Sequence, residues 1–225
     1  MLSLDKQCKQ LFTYVCKHLF TLGNMKTTKE KILRTALGLF SKYGFDAVSV
    51  EMLSTELGVT KGALYRHYES KEAIFRDILA RVTGEDRENA ENSNLPLEKE
   101  GDYHVSSIDD LIEFTLKQFQ FFTLDDFGSA FRRMVTLEQF RNAEMIHLYQ
   151  DVFMNGPLEY TEKILTSLME EGKIRTCDAK QLSIEFFAPF FTLLSLSDHS
   201  GDKVVLVERL RKQYQRFKSE YMEEK

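Results

Sequence analysis

Ser49–Lys71 reads SVEMLSTELGVTKGALYRHYESK, and its apolar spacing predicts two short helices joined by a tight turn. Val50, Leu53 and Leu57 recur at three- and four-residue steps, which places them on one helical face. Ser49 stands just before that helix, where its hydroxyl can cap a free backbone N–H. Gly58 follows the last apolar position, where a left-handed residue without Cβ ends a helix. Val59 reads as a lone apolar plug. Thr60 then offers a second N-cap, and Leu64 and Tyr68 supply the buried face of the next helix. The pair is a helix-turn-helix.

The second helix is odd as a purely structural element. Gly62 costs it about 1 kcal/mol relative to alanine. The outward residues are Lys61, Gly62, Ala63, Tyr65, Arg66 and His67. Small residues permit close approach to a surface, and basic or hydroxyl-bearing ones reach phosphates and base edges, as a helix in a major groove requires. A short surface helix that tolerates a glycine is the bland alternative.

VTKGALYRHYESKEAIF, with the preceding TKEKILRTALGLFSKYGFDAVSV, resembles the signature of the TetR (tetracycline-repressor-like) family of bacterial transcription regulators. The resemblance runs over residues 27–81 without a gap. Gly44, Gly58, Val59, Gly62, Leu64, Tyr65, His67, Tyr68 and Lys71 fall where the family pattern has such residues. Ser54 departs from its usual alanine and Tyr68 from its commoner phenylalanine. Ser54 faces the core, so its hydroxyl is expected to bond back along its own helix. The resemblance implies groove contacts by Thr60, Lys61, Gly62, Ala63 and Arg66, and phosphate contacts by Tyr65, His67 and Lys71. Ser49 and Thr27, at helix amino ends, join the DNA-binding set; solvated capping is the alternative for Thr27, which also fits a capping box with Glu30.

The chain has 225 residues, 43% hydrophobic and 29% charged, with three prolines and eleven glycines. Long, lightly interrupted elements and few β-branched runs predict an all-α protein. The resemblance implies an amino-terminal helix-turn-helix domain over residues 25–81 and a helical ligand-binding and dimerisation domain over residues 82–225. Two readings of residues 1–24 stand. They are sequence upstream of a start at Met25, or a basic amphipathic arm that docks on the body or touches DNA. Lys17 and His18 interrupt its apolar stretch and no small-residue cleavage site follows, which argues against a signal peptide. No apolar run approaches the ~20 residues that span a bilayer. Cys8, Cys16 and Cys177 form no C-x-x-C pair, so reduced thiols and a cytoplasmic location are expected, with no membrane partner.

The net charge of −5 divides unevenly: residues 1–24 carry +2, residues 25–81 carry +3 and the remainder −10. A basic amino end on an acidic body turns one face toward DNA and the other away.

Beyond residue 84 the text turns polar, and Asn92, Ser93, Asn94 and Pro96 signal a loop. Ser107 is the expected cap of a helix apolar nearly all round. One long helix is predicted from Phe127 through Phe153, broken at Asn155-Gly156-Pro157. Pro189 is expected to kink the helix over 178–197. Leu182, Phe186, Phe190 and Leu193 on that helix, with Val207, Leu210, Tyr214 and Phe217 on the last, form apolar seams that suit a four-helix homodimer interface. The last two long helices of the family form such an interface.

Chemistry for catalysis is not legible. HExxH, G-x-S-x-G and Walker loops are missing from the sequence. Glu144-x-x-His147 has the spacing of two metal ligands, but a di-iron bundle needs a second such motif. No metal, cofactor or enzymatic activity is expected. The leading reading is a homodimeric, ligand-responsive repressor of a near-palindromic DNA operator. The alternative is a small-molecule-binding or scaffolding all-α protein whose head no longer binds DNA. Family members take an inducer into the carboxyl domain. The candidate wall is Phe114, Phe121, Phe122, Phe131, Phe140 and Phe153, with Met134 and Met154; each taken singly also suits ordinary core. Such a wall fits a lipophilic small molecule. The acidic balance and Glu113 lean toward a cation.

Overall fold

The computed structural model describes residues 28–91, 107–141 and 143–222, and these form ten helices with no strand. The expectations for residues 1–24, for Thr27 and for the Asn92–Pro96 loop fall outside the described residues. The head comprises α1 (Thr28–Tyr43), α2 (Val50–Leu57), α3 (Lys61–Tyr65) and the first turns of α4 (Lys71–Glu91). The body comprises α5 (Ile108–Thr123), α6 (Asp126–Glu138), α7 (Ala143–Phe153), α8 (Asn155–Glu170), α9 (Ala179–Leu196) and α10 (Lys203–Tyr221).

Local signals set the head. Ser49 Oγ accepts the Met52 N–H, and Gly58 ends α2 at φ 68° with its N–H turned back to the helix. Ser54 is buried and donates to the Glu51 carbonyl at 3.0 Å, as its position implied. Thr60 Oγ1 accepts the Ala63 N–H at 3.2 Å, and Ser70 Oγ accepts that of Ala73 at 3.1 Å. Val59 is no plug: it is 39% exposed, because Leu64 and Tyr68 already fill the space over α2. The helix α4 continues through residue 81 to Glu91 and so crosses the line drawn between head and body.

In the body, α9 packs along α8, and α10 covers α5 and the end of α9. The outer side of α5 is tied to α10 by Lys218–Asp109 at 2.6 Å and Arg211–Glu113 at 3.2 Å. Caps again mark the starts: Ser107, Asp125, Asp178 and Asp202 each accept a first-turn N–H. The body joins the head mainly where α1 lies along α6.

One expectation needs correction. The helix foreseen over 127–153 is two helices, α6 and α7, because the Arg141 N–H bonds the Glu138 carbonyl at 2.9 Å and closes the turn there. No glycine or proline announces that break. The residues foreseen at a dimer interface are already covered within the single chain. Leu182, Phe186, Phe190, Val207, Leu210, Tyr214 and Phe217 are all buried, and Leu193 is half-buried. Phe186 stacks on Tyr214 at 4.5 Å and meets Phe217 edge-on at 5.1 Å. The seam between α9 and α10 thus closes within one chain.

Tyr214 is fully buried, and its hydroxyl has no hydrogen-bond partner among the described residues. Burial pushes the phenol far above its ordinary pKa, so it stays a neutral donor. An unpaired buried hydroxyl costs about 1–3 kcal/mol. Tyr214→Phe is therefore expected to leave stability in urea unchanged or raise it by about 1 kcal/mol. A clear loss of stability would show that the hydroxyl is satisfied in solution.

Candidate nucleic-acid interface

The outer face of the helix-turn-helix is assembled by the caps just described. With Leu64 the one buried residue of α3, the rest of that short helix projects away from the core. Thr60, Lys61, Gly62, Tyr65, Arg66 and His67 are exposed and Ala63 is half-buried, so the structure brings this group onto one projecting unit. Tyr65 is 50% exposed, unusual for so large an aromatic side chain with no core role. Ser49 is exposed at the start of α2, occupied as a cap.

Gly62 is the most informative residue of the face. A Cβ built there meets nothing beyond its own helix backbone within 4 Å. The fold itself therefore has no need of glycine at this helical position, which carries a cost of about 1 kcal/mol.

Charges on this face are partly tied down. Lys61 Nζ lies 3.1 Å from Glu51 Oε2, an exposed pair of small energetic weight. Behind it, the Tyr68 hydroxyl donates to Asp77 Oδ2 at 2.6 Å, and Lys29 Nζ is 3.2 Å from the same oxygen. The hydrogen bond from Tyr68 chiefly holds the Asp77 carboxyl below its usual range, while burial pushes the Tyr68 phenol up. Lys71 is turned inward: Nζ donates to the Phe45 carbonyl at 2.7 Å and sits 4.2 Å from the Phe45 ring centre. An ammonium has three protons, so this placement orients the cation without exhausting it.

The body's aromatic set divides. Phe121, Phe122, Phe131 and Phe153 are buried together, with Phe122 and Phe153 at 4.9 Å and Phe131 and Phe153 at 6.5 Å. Met134 is fully buried and Met154 half-buried at the α7–α8 junction. Phe114 pairs with Tyr160 at 6.0 Å. Phe140 is 85% exposed on the α6–α7 corner and is not brought to the others. Glu113 is exposed and paired with Arg211, so it faces away from the aromatic set.

Sequence reading missed three charged residues that organise the junctions. Arg132 is 5% exposed and bonds Asp198 bidentately, at 2.7 Å and 2.5 Å, and the Phe122 carbonyl at 3.2 Å. Arg81 donates to both oxygens of Glu30 and lies 4.4 Å from the Phe127 ring centre, linking α4 to α1 and α6. Glu138 accepts the Phe45 N–H at 2.8 Å. A charged residue interrupting an apolar stretch was the available signal in each case, but nothing local names its partner.

Comparison with known proteins points one way. The sequence model of the family described as bacterial regulatory proteins, tetR family, matches residues 32–78. The chain is 27% identical over 124 residues to IcaR of Staphylococcus epidermidis, a negative transcriptional regulator of the biofilm operon icaADBC; the match covers 55% of this chain and 62% of IcaR. The chain spans less than two thirds of the length of the curated relatives it matches first. Among solved structures, the complex of SmeT with triclosan aligns with TM-score 0.65 at 19% identity, covering 88% of this chain and 92% of that one. SmeT is the repressor of the Stenotrophomonas maltophilia multidrug efflux pump SmeDEF. A protein of Saccharomonospora viridis classed as a transcriptional regulator, in complex with choline, aligns with TM-score 0.62 at 19% identity, covering 87% of this chain and 98% of that one. At such identities the structural likeness carries the fold.

Proposed function

We propose that this chain, whose residues 32–78 match the sequence model of bacterial regulatory proteins, tetR family, is a homodimeric repressor, released from a near-palindromic operator by a small-molecule inducer. The observation that carries the DNA-binding part is the projecting group of residues 60–67, anchored by the one buried residue Leu64, with Gly62 leaving its outer side open. Close approach to a groove supplies a reason for that open side. In this reading Thr60, Lys61, Gly62, Ala63 and Arg66 face the groove. Tyr65, His67 and Lys71 meet phosphates, with Ser49 and Thr27 at the helix amino ends beside them.

Homodimerisation in this reading uses the outer faces of α9 and α10. Ile184, Leu196, Val204 and Val205 are large apolar residues left exposed there, between 41% and 50%. A two-fold pair places two α3 helices on successive major-groove faces. The inducer is lipophilic or a lipophilic cation, received by the aromatic set without Phe140. Triclosan and choline, bound in two structural neighbours, are compatible with such a site. Any cation would rest on aromatic faces rather than on Glu113.

The test is a mobility shift on duplex DNA from upstream of the chain's own gene, with sedimentation of the complex. Two chains per site are expected. Arg66→Ala should cost about 1–3 kcal/mol and relax preference at one base pair, if its guanidinium reads a guanine. Wild-type protein that shows no preference over random duplex would leave the scaffolding alternative standing.

A further inference from the structure

Glu138 closes α6 and is 1% exposed. Its Oε1 accepts the backbone N–H of Phe45, which is 93 residues away in sequence and sits in the turn from α1 into α2. The other side of the same residue is held by α4, since the Phe45 carbonyl accepts from Lys71 Nζ at 2.7 Å. The Phe45 ring is wedged between Phe40 and Phe75, with centres 5.1 Å from each. Gly44 precedes it at φ 85°, and a Cβ there would collide with Glu138 Oε1. One residue of the head is thus gripped by the body at its amide and by the helix after α3 at its carbonyl. Toward the body, α6 buries Phe131 and Met134 completely.

We infer that Glu138 is a positioning residue that carries the state of the body to the DNA-reading head, through Phe45. This rests on the DNA-binding reading above and names a route by which that head is regulated. A carboxylate-to-amide bond has a narrow range of good lengths and angles, and an ionised acceptor strengthens it. A shift of α6 by one ångström must either drag the turn along or break the bond. Dragging the turn moves the start of α2 and, through Lys71, the start of α4, which bracket α3. The guanidinium of Arg141, 3.5 Å from Glu138 Oε1, keeps the carboxylate at that place.

The test uses the full chain in three forms: wild type, Glu138→Gln and Glu138→Ala. Glutamine keeps an acceptor oxygen for the Phe45 N–H, and alanine removes it. Amide hydrogen exchange is measured over residues 45–65 and over α8 and α9, and DNA affinity is measured on the same samples. In Glu138→Ala, exchange over 45–65 should rise about tenfold or more, the effect of leaving a buried amide without an acceptor. Exchange in α8 and α9 should stay at the wild-type rate, and DNA affinity should fall. Glu138→Gln should match wild type within about twofold, since its acceptor remains. Unchanged exchange over 45–65 in the alanine variant overturns the inference. So does a parallel rise in α8 and α9, which marks a residue of general stability. Equal defects in both variants overturn it too, because the carboxylate charge that faces Arg141, and not the bond to Phe45, would then be what matters. Wild-type protein that binds no DNA refutes the proposed function, and the exchange data still decide whether Glu138 controls the head.

Discussion

Gly44→Ala is expected to destabilise the protein by about 2–4 kcal/mol, and Gly58→Ala by only about 1–2 kcal/mol. Both glycines have left-handed backbones, φ 85° and φ 68°, so both variants pay the same penalty for placing Cβ beside the following carbonyl. They differ in their surroundings. A Cβ at Gly58 meets nothing within 4 Å, whereas one at Gly44 runs into Glu138 Oε1 and comes within 3.0 Å of Arg141 Nη2. The Glu138 side chain must then withdraw, and the Phe45 amide loses its acceptor. Urea denaturation of the two variants with unchanged m-values gives the comparison directly. Equal losses at the two sites would mean that Glu138 yields freely and does not press on the turn.

Arg132→Ala is expected to cost about 3 kcal/mol, the low end for breaking a buried ion pair, because the Asp198 side chain is 33% exposed and regains some water. The same change leaves the Phe122 carbonyl without the Arg132 Nε donor, at the corner where α5 turns into α6. Asp198→Asn keeps oxygen and nitrogen near the guanidinium and should cost less. The pair also sets a pH dependence. Hydrogen bonds from Arg132 chiefly hold the Asp198 carboxyl below its ordinary range, with burial opposing. A carboxyl depressed in the folded state binds fewer protons there than in the unfolded chain, so stability rises with pH across that window. Its contribution is complete above the ordinary carboxylate value of about 4 and is lost as pH falls through the depressed folded value. Glu30 and Asp77 are depressed as well, so the wild-type slope below pH 4 is a composite. The difference between wild type and Asp198→Asn isolates the pair. If the two curves run parallel from pH 6 to pH 2, Asp198 is not held by Arg132 in solution.

The head was legible because its signals are local. Ser49, Gly58 and Thr60 act within three or four residues of themselves, and each does in the structure what its type and position imply. The body was legible as helices and starts, through Ser107, Asp178 and Asp202, but not as partners. An apolar stripe at helical spacing states that a face is covered and is silent about what covers it. Phe186 and Phe217 therefore read as interface residues, and both are buried within the single chain. The break between α6 and α7 had no glycine or proline to mark it. It accompanies a contact from Glu138 to Phe45 that spans 93 residues of sequence. Arg132 in FRRMV was visible as a charge in an apolar helix; Asp198, its partner, lies 66 positions further on. Of the candidate binding residues, those on α3 were legible as exposed, because exposure follows from helix geometry. Phe140 was misplaced among the aromatics because α6 ends at Glu138, two residues before it, where one unbroken helix through Phe153 was expected.

Closure of the α9–α10 seam inside one chain separates two kinds of inheritance. Side chains that keep the fold, such as Phe186, Leu210 and Tyr214, point one way from these helices, and Ile184, Val204 and Val205 point another. If the proposed interface holds, substitutions in the second group change which molecule the chain recognises at that surface without touching the first. Duplicate genes descended from this one would then be free to diverge in their associations, each copy becoming deaf to the other, while the inward-facing set stays the same.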